Sequence, residues 1–370
     1  MPNKICVYAI CKQEAKEAEA WYENVKCADD VIVLDTGSTD GTPDILEGLG
    51  CTVYRKEYAD FRFDVARNDS LDLAMEHSDA NIFFTTDFDE RMDPGWYEYV
   101  IGHWDPEVHT RGVYDDYFGD SPLPGSLNWM HDRTWKWKYP CHEVMEKRDG
   151  SGIHYHVSNE LDMRGGVVVL RHWQDYTKET RGQYLGLLRK RFSEYKDVES
   201  AAYLARELMY KNSPEESFMY EPEMLKMDLE GNNGSWVLIC LAWAHEVKGD
   251  FNGAEGLLFR AYLMDPRNRT APTKLAQLLS DNGNSELGAA VLEEAFRTAP
   301  EYSDRNLFVD NPDVWKWRMA DWLGVCYART GRWEDAVAKY EEALAGTVEG
   351  SWERTHVRAN LDYARKAIGG

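Results

Sequence analysis

Apolar positions in the first 90 residues fall in short continuous runs, each followed by a stretch where they recur every third or fourth place. Residues 4–10, "KICVYAI", are the first run and predict a buried strand. Ala18, Trp21, Tyr22 and Val25 then share one face of a helix predicted from about Glu14 to Val25. "DDVIVLD" is a second run, rich in β-branched residues, that stops at Asp35. After it comes the turn-rich stretch "TGSTDGTPDILEGLG", with Pro43 at a first helical position and Gly50 closing a short helix. "CTVYRK", a helix from Asp64 to Glu76, and "NIFFTT" extend the series. This alternation predicts a mainly parallel sheet with helices on both faces, whose ligands bind beyond the carboxyl ends of the strands.

The pattern changes after about residue 97. Up to residue 165 the segments are short, and the Pro and Gly of "DSPLPGSLNWMHD" predict a loop there. An aromatic and basic stretch, "RTWKWKYPCHE", follows, and "GGVVVLRHW" restores a strand near 165–173. Beyond it the chain reads helical, from Thr177 to Tyr195, from Glu199 to Tyr210 and on to the end, which divides it into residues 1–195 and 196–370. The second part repeats itself, with Ala261 and Pro266 recurring as Ala295 and Pro300 at an offset of 34 residues. A further copy places Leu323, Gly324, Tyr327, Ala336, Tyr340 and Ala343 at the spacings of a tetratricopeptide repeat. Small residues at a helix crossing beside large ones let helix pairs stack, each burying its apolar face on its neighbours. The segment "SDRNLFVDNPDVWK" interrupts the period.

Composition narrows the partners. At 370 residues the chain exceeds what one core usually supports, so two domains are expected. Acidic residues outnumber basic ones by 65 to 42, and the resulting net charge of −23 repels phosphate backbones and anionic membrane surfaces. Neither nucleic acid nor membrane is an expected partner. The seven cysteines contain no C-x-x-C pair, which fits reduced thiols and a cytoplasmic setting. "ICVYAIC" is too short for a secretory signal, and "WVLICLAWA" is too short to span a membrane.

The candidate chemistry gathers at two strand ends. Strand two delivers Asp35, Ser38 and Asp40, and strand four delivers Asp87 and Asp89. Carboxylates one residue apart point the same way in extended backbone, and such hard oxygens suit Mg²⁺ or Mn²⁺ held against a diphosphate. Taken alone, D-x-D more often marks a solvated acidic loop. Here it stands in an ordered series, "VIVLDTGSTDGT", "FRFDVARN" and "FFTTDFDE", that resembles the family 2 nucleotide-sugar glycosyltransferases with the glycosyltransferase A fold, over residues 4 to about 175. The resemblance implies that Asp35 contacts the nucleoside of a UDP-sugar and that Asp87 and Asp89 hold the Mn²⁺ or Mg²⁺ bridging its diphosphate. It also implies that Glu14 reaches the ribose or base, and that Arg67, followed by Asn68, neutralises phosphate. Two departures stand out: Thr36 replaces a second aspartate common after Asp35, and Lys12-Gln13-Glu14 replaces Lys-Asn-Glu.

"RTWKWKYPCHEVME" resembles the acceptor-side segment of the same subgroup. An inverting transfer needs a base opposite the departing diphosphate, and Glu143 or His142 could supply it, with Asp115 and Asp116 as rivals. The resemblance further suggests Arg133 facing the diphosphate, Trp137 as a flat face for a pyranose, and His172 as a third metal contact. His154 and His156 share one side of a strand and have no third ligand type nearby. A nucleotidyltransferase would want a glycine-rich basic loop after strand one, and "AICKQEAKEAEA" has no glycine. The whole layout resembles glycosyltransferases with a C-terminal helical repeat domain that modify Cys or Ser of bacteriocin precursor peptides. A polysaccharide or lipopolysaccharide acceptor and a non-catalytic repeat scaffold are the alternatives. Repeats of this kind also offer a surface for a homodimer.

Overall fold

The first apolar run forms β1 (Ile5–Cys11), and its side chains alternate into two different cores. Val7, Ala9 and Cys11 join Trp21, Phe84 and Trp96 on one face, and Cys6 and Tyr8 join Ile32, Leu71 and Phe83 on the other. A strand covered on both sides must be apolar throughout, which is why the sequence shows a run and not an alternation. The computed structural model describes residues 2–118, 121–151, 159–172, 184–299 and 313–369, with backbone alone for Phe118 and residues 121–128. His154 and His156, and most of the inserted "SDRNLFVDNPDVWK", lie outside the described residues.

The chain divides into two compact units, Met1–Arg191 and Phe192–Gly370. In the first, β2 (Asp30–Asp35) and β3 (Thr52–Arg55) lie parallel to β1 on one side, and β4 (Ile82–Thr85) lies parallel to it on the other. The order β3-β2-β1-β4 reverses direction between β1 and β4, the switch at which open α/β sheets leave a crevice beyond the strand ends. Helices α1 (Ala18–Val25), α2 (Thr42–Leu49) and α3 (Phe63–His77) connect these strands, and each begins within a few residues of the start that periodicity predicts.

The sheet is more mixed than the sequence suggests. Beyond β4 it continues as β7 (Ser121–His131), β6 (Arg111–Phe118), β11 (Val169–His172) and β5 (Glu90–Met92), with β10 (Glu160–Asp162) also beside β6. Helix α4 (Trp96–His103) lies between β5 and β6 in the chain. β7 is antiparallel to both β4 and β6. The predicted loop "DSPLPGSLNWMHD" is thus mostly strand. Its pairing with β6 shifts between Asp115↔Ser126 and Tyr117↔Pro122, so Pro124 and Gly125 fall in the irregularity, where no ladder N–H is required. A separate hairpin, β8 (Trp135–Lys138) with β9 (Val144–Lys147), packs around Trp135, Trp137 and Met145.

From α5 (Tyr184–Tyr195) onward the described chain is helical, first through α6 (Val198–Tyr210) and α7 (Pro214–Met224). In the second unit α8 (Gly231–Val247) pairs with α9 (Phe251–Met264), α10 (Thr270–Asp281) with α11 (Ser285–Thr298), and α12 (Met319–Arg329) with α13 (Trp333–Ala345). α9 and α11 start and end at the 34-residue spacing read from the sequence. Close approach depends on small residues: a Cβ on Gly324 would lie 2.7 Å from the ring of Tyr340. A single π-helical turn, Val314–Arg318, precedes α12. Among the described residues no helix is long and apolar enough to cross a membrane. All seven cysteines are free thiols.

Candidate active site

The loop after β2 is folded by its own carboxylate. Asp35, 3% exposed, accepts the N–H groups of Gly37 and Ser38 through both of its oxygens, a short-range turn that Gly37 completes at φ 108°. The neighbouring loop after β1 is stapled to it, since the N–H groups of Gln13 and Glu14 donate to Ser38 Oγ and Thr42 Oγ1. Glu14 and Asp35, the two residues expected at the nucleoside, therefore sit on adjacent, mutually fixed loops at the carboxyl ends of β1 and β2. Asp40 is occupied with Thr42 and the Ala15 N–H at the start of α2.

Past β4, Asp87 meets the guanidinium of Arg67, whose Nη2 donates to Asp87 Oδ1 at 2.9 Å. The same guanidinium donates through Nε to Glu143 Oε1 at 3.1 Å and has Nη1 3.4 Å from Thr85 Oγ1. Burial alone would lower the Arg67 pKa, but Asp87 and Glu143 outweigh it and raise it. Glu143 is raised by its own burial, with Arg67 opposing. The structure thus unites the proposed metal aspartate, the arginine of the Arg-Asn pair and the first-named base, contributed by three segments distant in sequence.

The loop that carries Glu143 is strained. Tyr139 and His142, neither of them glycine, have φ of 80° and 50°, values that cost on the order of 1 kcal/mol or more each. Buried Arg191 holds this loop by donating to the carbonyls of Cys141 and His142 and lying over the Tyr139 ring. His142 stands edge-on to Tyr184, the first residue of α5, at 5.8 Å between ring centroids. The phenol of Tyr184 is pushed up by burial and then by Glu143 and Asp87. No local sequence signal marks Tyr184, which reaches the site only through tertiary folding.

A second cluster lies beside the first. β11 pairs with β5 so that His172 stands opposite Glu90, and Nδ1 approaches Glu90 Oε1 at 3.1 Å. His172 Nε2 is 2.6 Å from Asp116 Oδ1, without the alignment of a hydrogen bond. Burial raises the Glu90 carboxyl, which is 1% exposed and also accepts the Asp87 N–H and the Thr86 hydroxyl. His172 is raised too, because Asp116 and Glu90 outweigh the burial that opposes its charge. The imidazole expected at the metal pair is instead engaged by these two carboxylates. Its partner Glu90 was visible in "DFDE" without a role assigned to it.

Three expectations are corrected. Arg133 does not face the Asp87 cluster: it donates to the carbonyls of Met75, Ser78 and Ala80, at the opposite end of β4. Trp137 is no sugar platform. It is 3% exposed, its Nε1 donates to Tyr8 Oη, and Arg67 covers its ring at 5.1 Å. Asp115 is turned away to accept the Gly166 N–H, which leaves Asp116 as the member of that pair near the site.

Among the described residues no three His, Cys, Asp or Glu side chains are arranged to enclose a metal ion by themselves. The local chemistry still fits a hard cation completed by phosphate oxygens. Asp87 is 39% exposed at the crevice edge, and after burial its charge is what most raises the neighbouring Glu90.

Residues 6–159, within the first unit, match the model of Glycosyl transferase family 2. No curated protein matches the chain. Among solved structures the chain is similar to MamA, at 16% identity and TM-score 0.36, over 47% of this chain and 95% of that one. It is also similar to TTC0263, described as a thermophilic TPR protein in Thermus thermophilus, at 18% identity and TM-score 0.34, over 49% and 92%. BtubC from P. vanneervenii aligns at 18% identity and TM-score 0.39, over 51% and 82%.

Proposed function

We propose that the first unit transfers a sugar from a UDP-sugar, with inversion, to the side chain of Cys or Ser in a peptide. The observation that carries this reading is the junction of Asp87, Arg67 and Glu143 at the switch-point edge of the sheet, inside the segment that matches the glycosyl transferase family. Glu14 and the Asp35 turn receive the nucleoside. Asp87 and Asp89 would hold Mn²⁺ or Mg²⁺, which when bound would supply positive charge to offset what builds on the leaving group. Glu143, whose Oε1 is held by Arg67, takes the acceptor O–H or S–H proton. As the acceptor atom bonds to the anomeric carbon, the bond to the diphosphate breaks and its electron pair leaves with UDP. Burial raises the Glu143 carboxyl, which makes it the better proton acceptor.

The helical unit, built of stacked hairpins, is the part suited to an extended peptide or to self-association. A glycan acceptor would use the same donor chemistry. The test is UDP release from UDP-sugars with Mn²⁺ for the parent and for Asp89→Ala. A loss of about 10²-fold or more is expected in the variant. Equal release from both would remove the metal role of Asp89, and no release from any donor would leave only a scaffold.

A further inference from the structure

The family resemblance assigns Arg67 to phosphate, yet each of its three nitrogens already faces a protein oxygen: Asp87 at 2.9 Å, Glu143 at 3.1 Å and Thr85 at 3.4 Å. The side chain is 6% exposed and is flanked by Trp137 and Trp129, whose ring centroids lie 5.1 and 5.5 Å from Cζ. Its sequence neighbour Asn68 exchanges two hydrogen bonds of 2.8 Å with the backbone of Trp137, tying α3 to β8 beside the Glu143 loop. A planar fork with separate donors can hold two carboxylates at a set angle, and the single ammonium of lysine cannot.

We propose that Arg67 is a positioning residue, fixing the acceptor-side Glu143 relative to the donor-side Asp87, and that it does not bind the diphosphate. The proposal rests on the transferase reading above. Glu143 sits on a loop with two strained residues, and without a fixed counter-charge its carboxyl would have several rotamers from which to miss an acceptor proton. An error of about 1 Å in such a group costs on the order of 10²-fold in rate.

The experiment measures UDP release by the full chain with Mn²⁺ and a UDP-sugar, across donor concentration, for the parent, Arg67→Lys, Glu143→Gln and the double variant. Arg67→Lys should lower kcat by about 10²-fold, while donor KM stays within about threefold. The double variant should be no slower than Glu143→Gln alone, because a base that cannot take the proton gains nothing from placement. A raised KM with kcat intact would show a phosphate contact and overturn the proposal. Losses that multiply in the double variant would overturn it as well. A parent that releases no UDP from any donor sinks the transferase reading itself, a different result from either.

Should Arg67→Lys not fold, the isosteric pair Asp87→Asn and Glu143→Gln replaces it, read by thermal melting. The two carboxylates share Arg67, so their shifts should be non-additive in the double variant, and strict additivity would overturn the proposal.

Discussion

Charge at the sheet edge of the first unit is placed differently from charge along the helix surfaces of the second. At the sheet edge, Arg67 and His172 are largely buried and each holds carboxylates from elements far apart in sequence. In the helical unit, the paired Arg297 and Glu294 are three residues apart on one helix and exposed. Others only link one hairpin to the next, as Arg329 does with Asp281. Burying ions costs desolvation that their attraction does not reliably return, whereas exposed pairs cost and contribute little. The first unit therefore keeps an arrangement that stability alone would not favour, and the second draws its stability from apolar packing around small residues.

This contrast is easiest to break at His172. Replacing it by alanine leaves Glu90 and Asp116 facing one another without a cation, and should cost about 3–5 kcal/mol by urea unfolding. A loss under about 1 kcal/mol would make this cluster no different from a surface pair. Next in size, Gly324→Ala presses a methyl group against the buried Tyr340 ring, and should cost about 1–3 kcal/mol. UDP release per folded molecule should not change, and a parallel fall in turnover would contradict the division of labour.

Two histidines, His131 in the first unit and His245 in the second, should differ in the sign of their pH response. His131, fully buried, donates through Nδ1 to the Asp132 carbonyl and receives the Tyr8 hydroxyl at Nε2, and burial lowers its pKa to about 3. The unfolded imidazole titrates near pH ~6.5, so its contribution is whole above that value and falls away as pH drops toward 3. His245 stands between Glu221 and Asp250, which outweigh partial burial and raise its pKa. Its contribution is whole below the unfolded value and is lost as pH rises through the folded one. Stability measured across pH for His131→Gln and His245→Gln should lose an acid slope in one case and an alkaline slope in the other. Matching slopes in the two variants would remove the distinction. The smallest effect is expected for Arg297→Ala, whose melting and urea unfolding should coincide with the parent's.

Much of this architecture is written locally in the chain. Runs such as "KICVYAI" and "DDVIVLD", the helical spacing of Ala18, Trp21 and Val25, and the pairing of Gly324 with Tyr340 depend on neighbours within one element or one hairpin, which is why periodicity exposes them. The carboxylates after β4 are legible for the same reason, since a strand must end before it can offer them. What folding alone decided is which side chains face each other across strands. His172 meets Glu90 because β11 and β5 align at that register, Arg67 meets Glu143 across 76 residues, and Arg133 and Trp137 are drawn to backbone and core. Residue type announces what a side chain can bind. Its actual partner is set by register and packing between distant segments, where shifting a strand by one residue sends every side chain to the other face.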